Sequence, residues 1–343
     1  MQLRPFIIGL TLTAAIATPA IAGDEIRVVG SSTVYPFSTV VAERFGRMTT
    51  NPTPVIESTG TGGGMKLFCS GVGSDTPDIS NASRRIKDSE IENCLNNGVE
   101  EVVEVKIGYD GIVLANSIRA DHYDLTQRDI FLALAKNIPT EDGTLVENTY
   151  ETWQEVNPAL PAIKIEVLGP PPTSGTRDAF SELVLEKGCK TFPWLKALKD
   201  TDKPRFKAIC HGLREDGVYI EAGENDNLIV QKLNANPTSL GIFGFSFLDQ
   251  NSDKVQASYI NGHEATFDNI ASGDYPISRS LYFYVKKAHL DDVPGLADFV
   301  KLFMDERAIG EDGFLTERGL IPMGEDELET WRSSVLSFTP IGQ

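Results

Sequence analysis

Cysteine, histidine and basic side chains are all scarce in this chain, and each shortage closes a functional class. There are four cysteines and four histidines in 343 residues. No Cys-x-x-Cys pair and no His-Glu-x-x-His occurs, and His122, His211, His263 and His289 lie far apart. A zinc site therefore has no sequence support. The Gly-x-x-x-x-Gly-Lys-Ser/Thr phosphate loop is absent, which removes the usual nucleotide-hydrolysing sites. So is the Gly-x-Ser-x-Gly elbow, and no histidine neighbours the Ser-rich turns described below, so a serine hydrolase finds no triad. Lys plus Arg number 31 against 49 Asp plus Glu, a formal charge of −18. Such a field repels nucleic acid and anionic membrane surfaces, and no nucleic-acid partner is expected. The longest apolar run falls short of the roughly 20 residues of a membrane span. What is present, 41% hydrophobic and 23% charged residues, is the composition of a soluble globular protein long enough for two cores.

The single apolar run is N-terminal. Arg4 precedes Phe6 to Ala17, then Thr18, Pro19 and the small-residue triplet Ala20-Ile21-Ala22 lead abruptly into Asp24-Glu25. This is the pattern of a secretory signal peptide over residues 1–22, cleaved after Ala22. No cysteine follows the run to take a lipid, so the mature protein is expected to be exported and freely soluble. An even cysteine count in an oxidising compartment reads as disulfides. Of the three pairings that Cys69, Cys94, Cys189 and Cys210 permit, 69–94 with 189–210 closes the shortest loops; sequence alone leaves the other two open.

Beyond residue 23 short β-prone runs alternate with amphipathic helical segments, which predicts an α/β fold with mainly parallel sheets. Ile26 to Val29 leads into Gly30-Ser31-Ser32-Thr33-Val34 and a helix from about Pro36, with Phe37, Val40, Val41, Phe45 and Met48 as its buried stripe. The same grammar recurs at Val55-Ile56, followed by Ser58 to Gly64, and at Ile165 to Leu168, followed by Gly169 to Arg177. A helix N-terminus presents unpaired N–H groups and partial positive charge, glycine lets backbone approach, and hydroxyls add donors without charge. Each turn is thus suited to an oxyanion. Any one of them is also an ordinary N-cap; three in one chain are the stronger signal.

Ile107 to Leu114 and Ser280 to Val285 are strongly β-prone and bracket the middle of the chain. They read as paired crossover strands between two α/β lobes, one discontinuous (residues 23–113 plus 279–343) and one continuous (114–278). A cleft between such lobes can close on a ligand.

The ordered motifs Val-Val-Gly-Ser-Ser-Thr-Val-Tyr-Pro (28–36), Gly-Thr-Gly-Gly-Gly-Met-Lys (60–66), Asp-Ile-Ser-Asn-Ala-Ser-Arg (78–84), Tyr-Asp-Gly-Ile (109–112), Thr-Ser-Gly-Thr-Arg (173–177) and Leu-Gly-Ile-Phe-Gly-Phe (240–245) resemble those of the periplasmic phosphate-binding proteins of phosphate-specific ABC importers, the PstS-like family. The likeness runs through to Gly313-Phe314-Leu315-Thr316 and Gly319-Leu320-Ile321-Pro322. It implies a type II-like periplasmic-binding-protein fold, two α/β lobes joined by a two-strand hinge. It also implies binding of inorganic phosphate without a cofactor, delivery to the permease subunits of an ABC importer, a periplasmic location and a monomer. By position it assigns Ser32, Thr33 and Thr61 to the ligand from one lobe, and Ser174, Gly175 and Thr176 from the other.

Two positions depart from the family. Where its best-known members place a proton-accepting Asp this chain has Ser83, and where they place an Arg it has Pro170. Arg84 and Arg177, adjacent to matched positions, are the expected substitutes for the guanidinium, which can give two bonds to one oxyanion. Asn227, or Asp226, is a further lobe-two contact, and Asp110 or Asp226 could replace the missing acceptor. Hydrogen phosphate carries a proton that needs an acceptor when buried and sulfate carries none, so the acceptor governs selectivity. Binding of another oxyanion, such as sulfate, arsenate or molybdate, and an exported phosphatase are the alternatives.

Overall fold

The computed structural model describes residues 25–140, 142–172, 174–222 and 226–342. The expected signal peptide lies outside them. Nine strands form one continuous curled sheet with helices against it. In its first half, strand Arg27–Gly30 pairs in parallel with Val55–Ser58 on one side and Ile79–Ala82 on the other. These are the strands that feed the first two Gly/Ser/Thr turns. In the two inner strands the branched residues are buried on both faces, as a covered parallel sheet requires: Val28, Val29 and Ile79 are each about 1% exposed, while Val55 and Ile56 of the edge strand are half-buried.

Strand Val102–Ser117 is the spine. Its first part pairs antiparallel with Ser278–Lys286, from Val102 opposite Lys286 to Gly111 opposite Ser278. Its last part, from Ile112 onward, pairs instead with Leu240–Gly244 and Val255–Ala257. Leu240–Gly244 then continues in parallel to Val167–Gly169 and on to Tyr219–Glu221. One long strand thus belongs to both halves, and the register slips at Leu281/Tyr282, leaving Ile107 unpaired in the ladder. Such a bulge adds twist where the sheet passes between the lobes. The α/β, mainly parallel, two-lobed prediction is the fold observed.

The first helix, Tyr35–Met48, carries Pro36 in its first turn and buries Phe37, Val41 and Phe45. Phe45 meets Phe299 of helix Leu296–Phe303 edge to face at 5.6 Å, an arrangement worth about 0.5–1.5 kcal/mol beyond area burial. Met48, read as part of the stripe, is 65% exposed, because the last turn runs past the end of the core it packs on. The third helix is also less regular than its pattern predicts: Gly175–Phe180 is α-helical, Ser181–Leu185 forms a π-turn, and Glu186–Cys189 returns to α. The cysteines pair as the shortest loops favour, Cys69 with Cys94 and Cys189 with Cys210.

Candidate functional site

The three turns meet. After strand Arg27–Gly30 the chain bends through Ser31 to Val34, where the Ser31 N–H is held by Asn81 O at 2.9 Å and Ser31 O accepts from Tyr35 N at 3.0 Å. The second turn packs directly on the first: Thr59 N donates to Gly30 O at 2.9 Å. Gly64 can only be glycine, since a Cβ there would lie 2.4 Å from Gly30 Cα. Thr61 Oγ1 sits 3.2 Å from Ser83 Oγ and also accepts from Ser83 N at 3.2 Å. Ser32, Thr33, Thr61 and Ser83 are therefore contributed by adjoining turns of one lobe.

The third turn comes from the other lobe and abuts the first. A Cβ on Gly175 would lie 3.0 Å from Ser32 O and 3.1 Å from Thr33 Cα. Ser174 caps the helix by accepting from Thr176 N at 3.2 Å. Across the boundary Ser32 Oγ donates to Asp178 Oδ2 at 2.5 Å. The 30s, 60s and 170s segments thus adjoin one another.

The two arginines singled out from the sequence are both engaged within their own lobes. Arg84 makes a two-pronged pair with Glu90, at 2.9 and 2.7 Å. Burial alone would raise the Glu90 carboxyl, but the Arg84 and Lys87 hydrogen bonds outweigh it and hold it below its ordinary value. Arg177 donates to Pro170 O at 3.1 Å, and its guanidinium carbon lies 4.7 Å from the Tyr219 ring centroid. Asn227 is the second residue of the helix Asp226–Ala235, and its side chain is not among those described.

A third arginine, not anticipated, occupies the junction. Arg279 lies in the crossover strand Ser278–Lys286, directly opposite Asp110 in the register of Val102–Ser117. Its side chain is only 9% exposed. Nε donates to Asp110 Oδ2 at 3.2 Å, Nη2 to Thr33 Oγ1 at 2.7 Å and Nη1 to Glu182 Oε2 at 2.8 Å. One guanidinium therefore touches the hinge, the first turn and the opposite lobe. Asp110 is pushed upward in pKa by burial, and Arg279 offsets part of that push. The only sequence signal for Arg279 was its place at the edge of a β-prone run. A cation opposite an anion on paired strands becomes visible only when the register is known. Two further buried polar atoms border the turns, Ser80 Oγ and Asn81 Nδ2, and neither has a hydrogen-bond partner among the described residues.

A model of the PBP superfamily domain matches residues 15–307. Phosphate-binding protein PstS of Staphylococcus saprophyticus is 31% identical over 292 residues, 82% of this chain and 76% of the relative. The chain belongs to the PstS-like branch of the PBP superfamily. Protein SphX of Synechococcus elongatus is a further relative of this family, 30% identical over 264 residues, 75% of this chain and 67% of its own. The crystal structure of a possible phosphate binding protein from Planctomyces limnophilus superposes with a TM-score of 0.73 at 26% identity, covering 93% of this chain and 99% of that one.

Proposed function

We propose that the protein captures hydrogen phosphate between its lobes and delivers it, as a soluble periplasmic monomer, to the permease of an ABC-type importer. The convergence of three donor-rich turns with the Arg279–Asp110 pair carries this reading, together with membership of the PstS-like family. On it, residues 23–113 plus 279–343 form one lobe and 114–278 the other. Ser32, Thr33, Thr61 and Ser83 grip the anion from the first lobe, and Ser174, Gly175 and Thr176 close over it from the second. Arg279 supplies the guanidinium, in place of Arg84, which is paired with Glu90, and Arg177, which lies over Tyr219, because Arg279 already touches the first turn at Thr33. Asp110 supplies the acceptor for the phosphate proton, a role Ser83 fills less well because a hydroxyl repels sulfate no more than phosphate. Water leaves on closure, which strengthens each remaining contact.

The chemistry ends with capture. His289 is bonded to Asp78 at 2.5 Å and His211 to Glu186 at 3.0 Å, so neither imidazole is paired with a hydroxyl of the three turns; the carboxylate that does meet one is Asp178, on Ser32. Among the described residues no helix is long and apolar enough to cross a membrane, and no group of three or more His, Cys, Asp or Glu could hold a metal ion.

Titration calorimetry on phosphate-stripped protein tests the proposal. Saturable one-to-one binding of phosphate, weaker binding of sulfate, no release of product from a phosphomonoester, and loss of phosphate binding in a folded Thr176→Asp variant are expected. Equal affinity for both anions would refute the assigned selectivity, and intact binding in Thr176→Asp the assigned site.

A further inference from the structure

Two carboxylates of the second lobe stand on donors of the first. Asp178 and Glu182 lie about one turn apart on the helical segment that starts at the Ser174 cap. Asp178 Oδ2 takes the hydroxyl proton of Ser32 at 2.5 Å, and Glu182 Oε2 takes Nη1 of Arg279 at 2.8 Å. Ser32 has only that proton to give. The other two directions of Arg279 are filled by Asp110 and Thr33. The donors best placed to meet an incoming oxyanion are thus already satisfied by the chain's own anions. Those anions are not locked in place: Asp178 is exposed and the Glu182 side chain is 48% exposed, whereas Arg279 beneath it is 9% exposed. An exposed carboxylate can swing into water at small cost, while the buried guanidinium cannot follow it.

We propose that Asp178 and Glu182 are built-in stand-ins for the ligand, an autoinhibitory pair that holds the empty cleft shut and must be displaced for the anion to bind. The proposal rests on the phosphate reading above. The pair acts by competition and through population. It occupies the donors directly, and by favouring an empty closed form it lowers the binding-competent fraction, which weakens apparent affinity by that same fraction. A tetrahedral dianion wins because it satisfies both donors at once and also reaches the amides of the Gly175 turn, which neither carboxylate does from its own helix.

Asp178→Asn, Glu182→Gln and the double variant, each with its melting curve, test this against the wild type. Calorimetry with inorganic phosphate should show each single variant binding about two- to fivefold more tightly, the scale of one exposed hydrogen bond for Asp178 and one exposed ion pair for Glu182, and the double variant about tenfold. Small-angle scattering of the phosphate-free proteins should show the double variant more expanded than the wild type. Unchanged or weaker phosphate affinity in a folded double variant would overturn the proposal. Should the wild type itself bind no phosphate, the functional reading fails, and scattering alone decides the latch: equal dimensions for wild type and double variant reject it.

Discussion

Replacing Gly175 should separate folding from binding. The residue begins a helix and is not in the left-handed region, so the backbone accepts an L side chain, and alanine should even favour that helix by up to about 1 kcal/mol. The obstacle lies in the other lobe: an added Cβ meets Ser32 O at 3.0 Å, Thr33 Cα at 3.1 Å and Ser32 C at 3.3 Å. All three are backbone atoms that cannot rotate away. Alanine needs the turns to part by a few tenths of an ångström, which should cost a modest factor in affinity. Valine adds two further methyls and holds the lobes apart enough to break the contacts from Ser174 and Thr176. A hydrogen bond to a charged group is worth about 1.5–3 kcal/mol, so losing two costs roughly 3–6 kcal/mol, or about 10²–10⁴ in the dissociation constant. Calorimetry with phosphate, alongside melting of the empty protein, reads both halves. Gly175→Val should melt within a few degrees of wild type and bind far more weakly. Affinity within threefold of wild type would refute the argument that closure brings these two turns into contact around the ligand.

Two stability predictions concern parts of the molecule away from the cleft. Glu186 is held down to about 2: burial pushes it up, but hydrogen bonds from His211 and Lys199 outweigh that. Its folded value is thus below its ordinary one near 4.5, so its contribution is present above that value and is lost as pH falls toward about 2. Glu186→Gln should cost about 2 kcal/mol at neutral pH, with the gap to wild type narrowing below pH 4.5 in urea melts; a gap constant from pH 7 to pH 3 would contradict the assignment. The disulfides span 25 and 21 residues, and removing either by paired Cys→Ala replacement should cost about 3 kcal/mol, measured by denaturant midpoint, with phosphate affinity little changed because neither bridge lies in the cleft.

Much of this protein was legible in the linear order of residues because the determining interactions are local. Strand, glycine, hydroxyl and helix follow one another within about twenty positions at 26–45, 55–68 and 165–184, and the physics of a helix N-terminus needs nothing from elsewhere to point to an oxyanion. The cysteine pairing was legible for the same reason, since short loops close most readily. Less was available where packing geometry decides. Met48 keeps the helical period yet falls beyond the core, and no pattern in the sequence marks the π-turn at Ser181–Leu185.

The charged groups where the turns meet belong wholly to the second kind. Arg84 and Arg177 stand beside the matched motifs, and their recorded partners are also near in sequence: Glu90 lies six residues from the one and the Pro170 carbonyl, which takes a single bond, seven from the other. Arg279 reaches its place from 169 residues beyond Asp110 and 246 beyond Thr33. No sequence pattern spans such distances. The neutral donors were fixed by chain neighbours, whereas the charges were fixed by strand register and lobe contact, which exist only after the sheet has formed.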